Sequence, residues 1–283
     1  MKIAIASGKG GTGKTTLATN LAFVASQAGR NVIYADCDVE EPNGHLFLKP
    51  VLTGKQTIHK RIPEVDRQRC DGCGECARFC QFHAIMCLSA QAVVYSELCH
   101  ACGGCKHVCP RNAIGETLQE IGHLEWGRSG NLRFFQGVLR IGEPQSPPII
   151  RAIKASLPPA ALVFLDAPPG TSCPVVETVR DVDLLLLVTE PTPFGLHDLK
   201  LALEMAKTLK VRCGAIINRA LPGRPEARRL CEQNNLPVLA EIPDTLAIAQ
   251  AYSQGDLAVE TVPQLRDTML QLLSNLTALC RNS

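Results

Sequence analysis

Short apolar runs recur along this chain, and each gives way to glycine, proline or a charged residue. Residues 2–6, 31–35, 161–165, 184–188, 215–217 and 238–240 are such runs. Their length suits strands, and their lack of alternation suits strands covered on both faces. Stretches with helical spacing separate them at 17–22, 149–156, 196–209 and 225–234. Pro147 and Pro148 open the second of these, where proline is tolerated in a first turn. The alternation predicts an α/β fold: a doubly wound, mostly parallel sheet with helices on both faces. The last stretch, 262–280, carries Leu265, Met269, Leu272, Leu273, Leu276 and Leu279 at helical spacing, the stripe of a helix packed on the body.

Two stretches break this rhythm. Residues 56–62 read as a short exposed strand, while 116–126 and 131–141 alternate loosely about Gly127-Arg128-Ser129-Gly130. The latter pair reads as an antiparallel hairpin leading back to the sheet. Between them cysteines replace the apolar pattern. The expected division is one domain over 1–60 and 115–283, interrupted by an insert at 61–114.

The first strand runs into Gly8-Lys9-Gly10-Gly11-Thr12-Gly13-Lys14-Thr15-Thr16. Residues 8–15 fit the phosphate-loop pattern of glycine, four free positions, then Gly-Lys-Ser/Thr, with a strand before and a helix after. Glycines let backbone N–H groups turn inward on a phosphate, and the helix N-terminus adds partial positive charge. Lys14 then reaches the terminal phosphates, and Thr15 offers a hydroxyl to Mg²⁺. A nucleoside triphosphate is the expected ligand of residues 8–16.

Carboxylates close two of the buried runs. Asp36-Cys37-Asp38 follows 31–35, and Asp166-Ala167-Pro168-Pro169-Gly170-Thr171 follows 161–165. The C-terminal ends of parallel strands are where such sheets place ligand chemistry. An apolar strand ending in aspartate is the companion of a phosphate loop and holds Mg²⁺ through water. The prolines and glycine after Asp166 suit a segment that senses the terminal phosphate.

Net charge is +2, so no broad electrostatic case for nucleic acid or membrane arises. Apolar runs such as 184–188 fall far below the roughly 18 residues that span a bilayer. The start leads straight into the phosphate loop, with no room for a secretory signal. A cytoplasmic protein is expected. Fourteen cysteines then become informative, because a reducing compartment disfavours a disulfide framework and leaves metal binding.

Their spacing is Cys70-x₂-Cys73-x₂-Cys76-x₃-Cys80, then Cys99-x₂-Cys102-x₂-Cys105-x₃-Cys109-Pro110. This is the bacterial-ferredoxin run written twice. Three cysteines in one tight loop can hold three corners of a cubane, and in two-cluster ferredoxins the fourth comes from the other run. One [4Fe–4S] cluster is therefore assigned to Cys70, Cys73, Cys76 and Cys109, the other to Cys99, Cys102, Cys105 and Cys80. Zinc, the alternative for paired CxxC motifs, has no use for the third and fourth cysteines at these offsets. One departure is that Gln81, not proline, follows Cys80. Cys87 reads as a buried small hydrophobe, and His83, His100 and His107 lie outside the completed ligand sets. Cys37, Cys173, Cys213, Cys231 and Cys280 stand singly.

Lys9, a second lysine inside the loop, together with Lys14, Asp36-Cys37-Asp38, the paired cysteine runs and the segment after Asp166, resembles the MinD/ParA superfamily of P-loop ATPases. That group has a deviant Walker A loop, and the form resembled here carries an inserted two-cluster ferredoxin domain. The resemblance implies a homodimer with ATP at the interface, Lys9 reaching the partner's nucleotide. It implies that Asp36 joins Thr15 and Asp166 around magnesium and that Asp38 orients or activates the attacking water. It also places the adenine base at Asn218 and Pro243. Lys9, Lys14 and Asp38 would be the catalytic set of an ATPase. Among the final twenty residues only Arg266 and Arg281 are basic, so a membrane-binding terminal helix is not expected. Two functions follow from the resemblance. One is ATP hydrolysis coupled to electron transfer through the clusters to a redox partner. The other is a nucleotide-controlled assembly or insertion factor serving a metalloprotein.

Overall fold

The computed structural model describes residues 1–281, the side chains of Ala278, Cys280 and Arg281 excepted, so the readings of Cys280 and Arg281 lie outside the described side chains. The first half of the chain runs β1 (Lys2–Ala6), α1 (Lys14–Gln27), β2 (Val32–Asp36), α2 (Gly44–Leu48), β3 (Val51–Val65), α3 (Glu75–Phe79), β4 (Ile85–Leu88), β5 (Gln91–Val94), α4 (Gly104–His107), β6 (Ile114–Ser129) and β7 (Leu132–Leu139). The second half runs α5 (Pro147–Ser156), β8 (Leu162–Asp166), α6 (Cys173–Val179), β9 (Leu184–Thr189), α7 (Pro193–Thr208), β10 (Cys213–Ala220), α8 (Glu226–Gln233), β11 (Val238–Pro243), α9 (Leu246–Ser253), α10 (Ala258–Thr261) and α11 (Pro263–Arg281).

The large sheet has the order β11-β10-β9-β1-β8-β2-β7-β6-β3. β1 lies between β8 and β9, parallel to both, and β2 runs parallel to β8 with Asp36 beside Asp166. The expected parallel strands are all present. The hairpin turns at Gly130 and Asn131, three residues past the start of the anticipated turn, and its second arm is parallel to β2. β3 is 15 residues long rather than a short strand. It is the sheet's edge and is mostly exposed, so no apolar alternation marked its length. α7 begins earlier than its apolar spacing suggests because Thr192 caps it. The Thr192 hydroxyl accepts from the Gly195 N–H at 3.0 Å, and Pro193 fills the first turn.

Two compact units emerge. One comprises residues 1–55, 124–138 and 150–283. Its core packs Leu17 and Leu21 of α1, Tyr34, Phe134, Phe164 and Leu186 of the sheet, and Leu265, Met269, Leu272, Leu273 and Leu276 of α11. The C-terminal stripe is thus buried as its spacing implied, apart from Leu279, which is partly exposed. Tyr34 and Phe134 stack with centroids 5.7 Å apart. The other unit comprises 56–123 and 139–149 and contains both cysteine runs. A core cluster there is small: Cys76, Ile85, Ala92 and Ile114, with partly buried thiols and valines around them. Ala84, Ala113, Ile121 and Ile149 of this unit are buried as well. No described helix is long and apolar enough to cross a membrane.

Candidate functional site

The phosphate loop connects β1 to α1, which begins at Lys14. Gly13 sits at φ 88, and a Cβ there would overlap the amide nitrogen of Asn218. That amide donates to the Thr12 carbonyl at 2.8 Å, so the end of β10 fixes the loop from outside. The Gly170 N–H donates to the Ser7 carbonyl at 3.0 Å, tying the segment after β8 to the start of the loop. Asn20 links Thr16, through its amide, to the Val259 N–H, through its carbonyl, with both bonds under 3 Å. Lys14 is buried, and the equally buried Thr12 hydroxyl has no hydrogen-bond partner. An orphaned hydroxyl in a rigid loop fits a site whose remaining partner is a ligand.

The carboxylates gather beside Lys14. Asp36 and Asp166 are fully buried neighbours on β2 and β8. Asp36 accepts backbone N–H bonds from Asp38, Asn43 and Gly44 at 2.9–3.1 Å, so it holds the segment that follows β2. Burial, then the charge of Asp166, lifts Asp36 well above the ordinary carboxylate range, against the N–H bonds from Gly44 and Asp38. Asp166 Oδ2 accepts from the Tyr34 hydroxyl at 3.0 Å, while Oδ1 is buried and unpartnered. Burial raises Asp166 too, although Lys14, Thr15 and Tyr34 pull the other way. Asp38 is pushed up to about 6 by burial and by Asp166, with Lys14 opposing. Paired buried carboxylates with a free oxygen beside a threonine hydroxyl are the hard-oxygen set that Mg²⁺ takes. These residues fit the ion.

Lys9 pairs with Glu190, just beyond β9. Burial works against the Glu190 charge, but Lys9 and then Arg219, 3.2 Å away, hold it below its usual range. On the other side of the loop, Asn218 and Pro243 line a cavity of about 360 Å³ with Gly11, Thr16, Asp244 and Tyr252. That volume is within the range of small-molecule sites. Tyr34, Glu190 and Arg219 were not singled out from the sequence.

The cysteines form two groups within their own unit. Cys70, Cys73, Cys76 and Cys109 line one small cavity, and Cys80, Cys99, Cys102 and Cys105 line another of about 330 Å³. The runs repeat one local geometry. Gly74 and Gly103, both left-handed, precede α3 and α4. Cys80 and Cys109 each accept an N–H bond at 3.3 Å from the residue four places on, Ala84 and Ala113. Gln81 in place of proline therefore leaves the turn unchanged. Burial pushes the Cys76 thiol up to about 11, with Cys87 and Cys109 adding to it. Among the described residues, no three His, Cys, Asp or Glu side chains already stand at metal-binding spacing. Free thiols gathered at least four to a cavity are nonetheless a donor set that fits a thiolate-bound cluster. Cys87, read as a buried small hydrophobe, does pack against the apolar cluster but is only partly buried, and it also lines the first cavity.

The family described as CobQ/CobB/MinD/ParA nucleotide binding domain matches residues 3–259. An uncharacterized protein of Methanocaldococcus jannaschii is 36% identical over 215 residues, covering 74% of this chain and 73% of its own. Among solved structures, the cell division ATPase MinD of Pyrococcus furiosus aligns with a TM-score of 0.61 at 21% identity, covering 98% of both chains. The septum site-determining protein MinD of Pyrococcus horikoshii OT3, complexed with Mg-ADP, aligns with a TM-score of 0.59 at 20% identity, covering 98% of this chain and 96% of its own. At such identities the structural likeness speaks for the fold.

Proposed function

This chain belongs to the CobQ/CobB/MinD/ParA nucleotide-binding family, and from that premise we propose that it is a dimeric ATPase whose nucleotide state governs electron transfer through two [4Fe–4S] clusters. In this reading residues 61–114 are an inserted ferredoxin-like domain, and 1–60 with 115–283 form the ATPase. The observation that carries the ATPase half is the meeting of Lys14, the unpartnered Asp166 oxygen and the raised Asp38 carboxyl. Lys14 neutralises the terminal phosphates. Asp38, ionised at neutral pH yet basic for a carboxylate, orients the water and accepts its proton. Thr15, Asp36 and Asp166 would hold Mg²⁺, Asp36 also fixing the Asp38 segment through the N–H bonds it accepts; the ion would neutralise phosphate charge. Asn218 and Pro243 flank the base. Lys9, held by Glu190 in the single chain, would transfer to the partner's nucleotide when two copies meet.

The cluster half is supported by the two cysteine groups and by the packing of Cys70, Cys76, Cys105 and Cys109 about one small apolar cluster. Cys70, Cys73, Cys76 and Cys109 would hold one cluster, and Cys80, Cys99, Cys102 and Cys105 the other. Bound clusters would supply one-electron transfer and cross-link the unit. A second reading, assembly or insertion of a metal cofactor into a client metalloprotein, is favoured by one observation. The cavity at Cys80, Cys99, Cys102 and Cys105 is roomy, and Cys102 is exposed, as suits a group that must leave.

The test of the ATPase reading is sedimentation and ATP turnover of three proteins. Lys14→Ala should lose nucleotide binding. Lys9→Ala should bind ATP but neither dimerise nor turn it over. A Lys9→Ala protein that dimerises with ATP like the parent removes the role across the interface.

A further inference from the structure

We infer that Cys87 is a ligand-competent thiol of the first cysteine site, able to take the place of Cys109 there. The inference rests on the cluster reading above and extends it to a residue outside both runs. Its geometry is built by the β4–β5 hairpin. Ile85 pairs with Val94, and Cys87 with Ala92. Strand alternation puts these four on one face, the face that packs with Cys76 and Ile114. Met86, Leu88 and Val93, on the other face, are exposed. The Cys87 sulfur lies 4.0 Å from where a Cβ on Gly74 would stand. Gly74 is part of the loop between Cys73 and Cys76, so the thiol faces the loop that carries the other ligands. It lines the same cavity as Cys70, Cys73, Cys76 and Cys109. A cubane has four irons to ligate, and five thiols surround this place.

The hairpin keeps that position against strain. Its tip residues Ser89 and Ala90 lie at φ 49 and 65, left-handed values at which tight hairpins favour asparagine and glycine. Gly72, at φ 70 between Cys70 and Cys73, makes room for the tip, since a Cβ there would overlap the Ala90 backbone. Strained residues persist where their surroundings over-determine them, and they gather at working sites. The two-residue tip goes with the register that puts Cys87 and Ala92 on the face of the cysteine loop. Replacement of Cys109 by Cys87 balances simply. Cys87 would give up its thiol proton and Cys109 would take one up, one thiolate ligand replacing the other. No electron is gained or lost.

The test uses the full chain purified anaerobically, read by iron and sulfide content and by mass spectrometry after alkylation under native conditions. Parent, Cys87→Ala and Cys109→Ala should each carry about eight irons per chain, and Cys87 should be shielded from alkylation in Cys109→Ala. The double variant Cys87→Ala/Cys109→Ala should fall to about four. A Cys109→Ala protein that already falls to about four irons, as low as the double variant, overturns the proposal and leaves the cluster reading standing. A parent that carries zinc and no iron removes the cluster reading beneath it. If Cys109→Ala fails to fold, Cys109→Ser is read by alkylation: a shielded Cys87 supports exchange, and a fully labelled one overturns it.

Discussion

Lys60→Met should be among the most damaging single substitutions in the cysteine-bearing unit. Lys60 and Glu143 form an ion pair at 2.8 Å with side chains only 2% and 1% exposed. The Lys60 ammonium also donates to the Cys99 carbonyl at 3.3 Å, which accepts a second bond from the Gln145 amide at 2.8 Å. Methionine keeps most of the volume and removes the charge. Glu143 is then left buried without its counter-charge, a loss of about 3–5 kcal/mol in comparable pairs. The Cys99 carbonyl keeps Gln145, so its share should be no more than about 1 kcal/mol. Glu143→Leu with Lys60→Met removes both charges together, and a buried pair replaced by apolar groups is typically neutral or stabilising. The assay is urea unfolding of the anaerobic parent, both single variants and the double, closed as a thermodynamic cycle. A coupling of about 2 kcal/mol or more is expected, with the double variant near the parent. A Lys60→Met protein within about 0.5 kcal/mol of the parent, inside ordinary surface scatter, would refute the argument, because water would then have to reach Glu143.

Other outcomes follow from the nucleotide site. Asp38, whose folded value is raised to about 6, destabilises the metal-free, nucleotide-free fold above that pH and ceases to do so below the unfolded carboxylate range near ~4. Asp38→Asn should therefore be more stable than the parent at pH 8, by about 1–2 kcal/mol after allowing for partial solvent screening. The gain should vanish as pH falls through that window in thermal melts; a gain that grows with acid contradicts the sign. Gly13→Ala combines a left-handed backbone with a clash at Asn218, so it should lower stability by about 2 kcal/mol or more and weaken ATP binding, measured by calorimetry. If the clusters and the nucleotide are coupled at a usual ~1–3 kcal/mol, their potentials should differ by about 40–130 mV between ADP and ATP-analogue forms. An EPR-monitored titration decides it, and agreement within about 10 mV in all forms would leave the assembly reading in its place.

What the sequence made legible was local. A phosphate loop is nine adjacent residues whose glycines, lysines and hydroxyls each have one job, and the carboxylates sit at the ends of apolar runs. The cysteine runs are legible for the same reason, since loop spacing brings the first three thiols of each run to the lining of one cavity. Long-range partners left no such trace. Glu190 meets Lys9 across 181 positions, and Glu143 meets Lys60 across 83; each reads on its own as one more surface charge. Tyr34 sits within an apolar strand, where a buried aromatic needs no further explanation until its hydroxyl is found on Asp166.

Cys87 shows where the boundary falls. Its run, Ile85-Met86-Cys87-Leu88, is apolar at every position, so composition cannot say which alternate pair faces inward. The turn settles that choice. With Ser89 and Ala90 as the tip, Leu88 pairs with Gln91 and Cys87 with Ala92, and Ala92 lines the same cavity as Cys87. A shift of one residue in the turn would carry Cys87 to the exposed face and bring Met86 into the cavity. The fifth thiol thus owes its position to the register that a tip of two left-handed residues gives the hairpin, and a side chain at Gly72 would overlap that tip.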